Sequence, residues 1–94
     1  MQENVLKNKS YDFAIRTAIG ALIREAEHGQ SKSDFIHKLS ISLKEANETE
    51  YWVNILNDTG YIEQDLYESL LRDCKELLRL LISSIKTAKN SMNN

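Results

Sequence analysis

The chain has no proline, one cysteine and three glycines. Without proline, no position is barred from a helix interior. The lone Cys74 excludes an intramolecular disulfide. It falls on an apolar helix face, where free cysteine is expected as a buried, inert thiol, and a reducing cytoplasm fits it best. No apolar run approaches the roughly 20 residues that a membrane span needs. The first ten residues, MQENVLKNKS, lack the apolar stretch of a secretory signal. Also missing are a glycine-rich phosphate loop, a nucleophile–base signature and a zinc-type spacing. Enzyme activity, a cofactor and a small-molecule substrate are therefore not expected.

What remains is a short, charged, helical sequence. Ninety-four residues make one domain, and a domain of that size buries only about two-thirds of its unfolded surface. Charged residues are 28% and apolar residues 41%, which fits a packed helical protein better than a disordered one. The net charge of −2 is unevenly spread. Residues 45–76 hold nine acids against Arg72 and Lys75, whereas residues 77–94 hold Arg79, Lys86 and Lys89 and no acid.

Gly29 and Gly60 divide the chain into three long amphipathic segments. The spacing predicts a first helix over about 10–28, with Tyr11, Ile15, Ala18, Ile19, Leu22 and Ala26 on one face. Gly29 is a left-handed stop, and Ser31 with Asp34 then caps a second helix over about 32–57. Its seam is Phe35, Leu39, Ser42, Ala46, Thr49, Val53 and Leu56, in the alternating 4-3 spacing of a coiled coil. Asn57-Asp58-Thr59-Gly60 reads as a turn. The third helix covers about 64–89, with Leu70, Cys74, Leu77, Leu81, Ile85 and Ala88 as its stripe, followed by a polar, frayed tail over 90–94. Short connections make neighbouring helices antiparallel. The fold class is therefore all-α: an up-down bundle of three long helices, one fewer than a closed four-helix bundle.

Two strips are left over once the seams are packed. On the second helix, Ile41, Trp52 and Ile55 lie about 160–240° around the wheel from Leu39, with Glu45 and Glu48 between them. They are either a self-association surface anchored by Trp52 or, for Trp52, packing against the third helix within one chain. On the first helix, Phe13, Thr17, Gly20 and Arg24 form a smaller strip. Gly20 costs about 1 kcal/mol relative to alanine in a helix, which a close helix contact explains; the alternative is one exposed phenylalanine and a tolerated glycine. On the third helix, Arg72, Lys75, Arg79 and Lys86 share the side away from the stripe. That ridge suits phosphates or an acidic partner, or it is a solvated face neutralised by Glu68–Arg72 and Arg72–Glu76 pairs.

Two carboxylate groupings are candidates for chemistry. Glu25-x-x-His28 and Asp34-x-x-His37 repeat the spacing of di-iron bundle ligands, but their side chains project away from the core stripes. Glu45, Glu48, Asp73 and Glu76 fall at similar heights on two helices, without a histidine and without the burial that raises a carboxyl pKa. No metal site is expected from either.

The runs AIGALIREAE (18–27), DFIHKLSISLKEANETEYW (34–52) and TGYI (59–62) resemble the bacterial four helix bundle protein family. That family includes proteins encoded in intervening sequences of large-subunit ribosomal RNA genes, and the likeness covers roughly residues 17–89. The resemblance implies an antiparallel four-helix bundle, a ring-like homo-oligomer that is commonly a pentamer, and no enzyme activity. Related accessory proteins of diversity-generating retroelements bind a reverse transcriptase and nucleic acid through basic surfaces; the acidic balance of this chain departs from them. Leu22 stands where many members have asparagine. Lys9–Arg16 resembles the start of the family's first helix and Thr17 onward the second half of its second helix, so helical material is missing at the Arg16–Thr17 junction. The expectation is a non-enzymatic chain that completes its bundle with other copies, as a pentamer or a helix-swapped dimer. The alternative is an RNA- or ribonucleoprotein-binding accessory module that uses the third-helix ridge.

Overall fold

The structure, a computed structural model, describes residues 2–27 and 31–92, with side chains from Asn8 onward. It contains three helices in chain order: α1 (Gln2–Glu27), α2 (Lys32–Asp58) and α3 (Gln64–Met92). No strand occurs among the described residues. The helices lie side by side in a rod of 57 × 19 × 15 Å.

Local sequence sets the helix ends. Ser31 is extended, and its hydroxyl accepts from the Asp34 backbone N–H at 3.0 Å, so one of the unpaired donors that open α2 is satisfied. At the other end of α2, Gly60 takes a φ of +80°. Its N–H donates to Asn57 O at 3.1 Å, and the Tyr61 N–H reaches back to Leu56 O at 2.8 Å. This is a Schellman closure, which needs a residue that tolerates the left-handed conformation. Gly29, the expected stop for α1, lies outside the described residues.

Two helices are longer than the periodicity predicts. α1 begins at Gln2 rather than about Ser10, and it passes unbroken through Arg16–Thr17. α3 continues to Met92, through most of the segment read as a frayed tail. Tertiary contacts hold both extensions: Asn8 Oδ1 accepts from the Glu63 N–H at 3.2 Å, and Lys32 Nζ donates to Ser91 Oγ.

The core has two parts. Near the α1–α2 connection, Leu22 and Ala26 meet Leu39, Ala46, Leu77 and Leu81. At the other end, Val53, Ile62, Leu70 and Cys74 are buried, with Tyr11 and Ile15 packed against them. The end of α1 thus meets the start of α2, and its beginning meets the end of α2, so these helices are antiparallel. Val53 and Leu70 are 0% exposed. Ser42, also fully buried, donates its hydroxyl to Leu22 O at 3.3 Å; a small polar seam residue fits because it finds a carbonyl on the facing helix. Thr49, read as part of the seam, is only half-buried and donates to Glu45 O of its own helix at 2.9 Å.

Candidate functional site

Three helices packed around a shared core leave the outward face of each without a neighbour, and the candidate surfaces lie there. On the outer side of α2, Trp52 is 57% exposed and Ile41 42% exposed, with exposed Glu45 and Glu48 between them. Ile55 is half-buried, so the strip is narrower at that end. The indole packs edge-on against Tyr51 of the same helix, with ring centroids 5.7 Å apart. Trp52 therefore belongs to the surface and not to a contact with α3. Ile41 and Glu45 also form one bank of a shallow groove between α1 and α2, whose other bank is Ala18, Ala21 and Glu25.

On α1, Phe13, Thr17, Gly20 and Arg24 are all exposed along the outer side. Phe13, 75% exposed, leads the large apolar side chains in exposure among the described residues. A Cβ added at Gly20 meets nothing within 4 Å, so the space above it is open.

On α3, Arg72, Lys75, Arg79 and Lys86 are exposed on one side. Among the described residues none of them makes an ion pair. The expected Glu68–Arg72 pair is not made; Glu68 instead accepts from Gln64 at 3.2 Å. At 1.5 Å per residue, the ridge runs for about 21 Å. No aromatic side chain interleaves it, so base stacking has no platform.

One surface escaped the sequence reading. Between α1 and α3 runs a groove of about 330 Å³, with Ile19 and Leu77 as its floor and exposed Ile23 and Leu80 on its banks. Arg16 and Asp73 also line it. The Arg16 guanidinium pairs with Asp12 at 2.5 Å and with Asp73, and donates to Ser69 Oγ at 2.9 Å. These hydrogen bonds, with Asp73 first and then Asp12, hold its pKa above the ordinary arginine value. Ile23 and Leu80 lie beside their apolar stripes, but only the side-by-side placement of α1 and α3 shows that they face one groove.

Neither carboxylate grouping converges. Glu25 pairs with Lys38 at 3.4 Å, and His37 is exposed. His28 lies outside the described residues. Glu45 borders the α1–α2 groove while Asp73 and Glu76 border the α1–α3 groove, so α1 separates them. Among the described residues no group of three or more His, Cys, Asp or Glu is placed to hold a metal ion. Burial, aided by the negative charges of Glu50 and Asp73, pushes the Cys74 thiol up to about 11, against a smaller opposing effect of Arg16. At neutral pH it stays a protonated, unreactive core residue.

The profile of the 23S rRNA-intervening sequence protein family matches residues 14–83. The chain belongs to that family. A similar solved structure is a protein of unknown function from the S23 ribosomal protein family of Bacteroides thetaiotaomicron VPI-5482. It is 56% identical, with a TM-score of 0.68 over 80% of this chain and 69% of the other. No curated protein matches this chain. The family match begins at Ala14, within the α1 outer strip, and takes in all of α2 and most of α3. It assigns no chemistry to any residue. No helix among the described residues is long and apolar enough to cross a membrane.

Proposed function

We propose that this intervening-sequence family protein is a non-enzymatic assembly protein whose chains associate with one another in the cytoplasm. The observation that carries the reading is the exposure of Phe13, Ile23, Ile41, Trp52 and Leu80 on faces that the three-helix bundle leaves uncovered. Among the described residues no further element lies over these faces to bury them. Contact with another copy removes that apolar area from water at about 25 cal/mol per Å² before the costs of association. Light scattering over a range of concentrations tests this: a mass of at least two chains at tens of micromolar is expected, and a monomer throughout that range refutes it.

A second reading rests on a separate observation, the four cations of the α3 ridge, none of which makes an ion pair among the described residues. As an accessory module for RNA or a ribonucleoprotein, the chain would hold phosphates along Arg72, Lys75, Arg79 and Lys86. Four neutralised phosphates give a logarithmic salt slope of roughly −3 to −4. Binding of a structured RNA with that slope, lost when the four residues become glutamine, is the outcome this reading requires. Binding that is absent at low salt removes it.

A further inference from the structure

The two parts of α1 are held in different ways, and Gly20 lies at the boundary. After it, Leu22 and Ala26 are buried against residues of α2 and α3. Before it, none of the described side chains is buried; Tyr11, Ile15 and Ile19 are half-buried. Yet these three pack over Val53, Ile62, Leu70 and Cys74, which are at most 4% exposed. Residues 8–19 therefore cover a well-buried core while burying little of themselves.

Much of what ties this cover down is polar. Arg16 reaches across to Asp73 and Ser69 of α3, and Asp12, one turn earlier, steers the guanidinium. Asn8 accepts from the Glu63 N–H at 3.2 Å. Tyr11 adds an edge-on contact with Tyr61, with ring centroids 6.1 Å apart. The ion pairs of Arg16 face solvent, where such pairs contribute little and exchange readily with water. Beside them, the α1–α3 groove leaves α1 without close packing at Arg16, Ile19 and Gly20.

Gly20 is helical, and a Cβ there meets nothing within 4 Å, so packing within the chain does not require a glycine. What glycine does provide is an easy break: relative to alanine it shifts a helix towards its broken form about fivefold. We infer that the part of α1 before Gly20 is a strap that opens from the α2–α3 hairpin by breaking the helix at Gly20, with Arg16, Asp12 and Asp73 as its latch. Opening uncovers the core around Leu70 and Cys74, while Leu22 and Ala26 stay in place. Partial openings of this kind start in segments with little buried apolar surface and solvent-facing polar ties. The inference depends neither on self-association nor on the α3 ridge.

Cys74 is the only thiol in the chain and lies beneath the strap, so it reports the opening. Its modification by dithionitrobenzoate is followed in the folded protein over a urea series below the unfolding midpoint. If modification needed global unfolding, its rate would fall along the full unfolding slope as urea is withdrawn, since that slope tracks the surface exposed. A shallow dependence is expected instead, with a rate without urea at least tenfold above the value extrapolated from global unfolding. Arg16→Met keeps the apolar stem, removes the latch and speeds modification several-fold. Gly20→Ala slows it about fivefold. Lys86→Met, on the outer side of α3, leaves it unchanged. All three positions are exposed, so the fold is not at stake. Modification that follows the full slope down to zero urea overturns the strap. A shallow dependence that Arg16→Met does not speed overturns the latch, and one that Gly20→Ala does not slow overturns the hinge.

Discussion

Replacing Leu70 with alanine lowers the free energy of unfolding by about 3 kcal/mol, within the roughly 2–5 kcal/mol range for such core truncations. Leu70 is 0% exposed, and its neighbours Val53 and Cys74 are at most 1% exposed, so the lost methyl groups leave a void that nothing can fill. The site also sits where all three helices and the α2–α3 connection meet, through Tyr11, Val53 and Ile62. Collapse around the void would require moving several elements at once. A domain of this size has a total stability of only about 5–10 kcal/mol, so the loss is a large fraction of it. Urea titration followed by circular dichroism should show a clearly lower midpoint with an unchanged slope. Ile82→Ala is the control: at 56% exposure it should cost less than about 1 kcal/mol. Equal effects of the two substitutions would mean that the core around Leu70 is not packed as described.

Trp52→Ala should act in the opposite way, on association and not on the fold. The indole is more than half exposed and its ring contact is with Tyr51, its neighbour in sequence. Truncation therefore removes little that holds a single chain together. A tryptophan at the centre of an interface commonly contributes about 2 kcal/mol, which is roughly a 30-fold change in dissociation constant. Sedimentation or light scattering should show weaker assembly, while the unfolding midpoint, compared at a concentration where both proteins are dissociated, stays in place. A lowered midpoint with unchanged assembly would put Trp52 among the residues that stabilise the fold and would remove the α2 strip from the self-association surfaces.

The two substitutions differ in how far their logic was visible in the sequence. Leu70, Cys74, Leu77 and Leu81 announce themselves by spacing, because a helix repeats every 3.6 residues and one buried face suffices to mark them. The α2 seam was legible for the same reason at Leu39, Ser42, Ala46 and Val53, all of which are buried. Ile62 was not: it is 4% exposed but lies in the α2–α3 connection, where no periodicity operates. The helix extensions at Gln2–Lys9 and Asn90–Met92 were also missed. Mostly polar sequence carries little periodic signal there, and contacts such as Asn8 with Glu63 join residues far apart in the chain.

The candidate surfaces divide in the same way. Phe13, Ile41 and Trp52 stood out as apolar residues off the seams, and the structure finds each of them exposed. Ile55 met the same criterion and is half-buried, because a wheel measures angle and not the width of the neighbouring helix. The α3 ridge was legible as four cations on one side; that none of them makes an ion pair among the described residues was not, since Glu68 is within reach of both Gln64 and Arg72 and only the folded geometry chooses.

By itself, then, the sequence determined three helices, the stripe that each one buries, the turn at Gly60 and the family. These are properties of near neighbours in the chain, fixed by periodicity, capping and the conformational freedom of glycine. The tertiary structure decided which flank of each stripe meets which neighbour. That choice joins Arg16 to Asp73 and Ser69, opens the groove between Ile23 and Leu80, and leaves Gly20 with empty space above it. A stripe specifies a direction around one helix axis. Only packing three axes together converts those directions into grooves, clamps and uncovered faces.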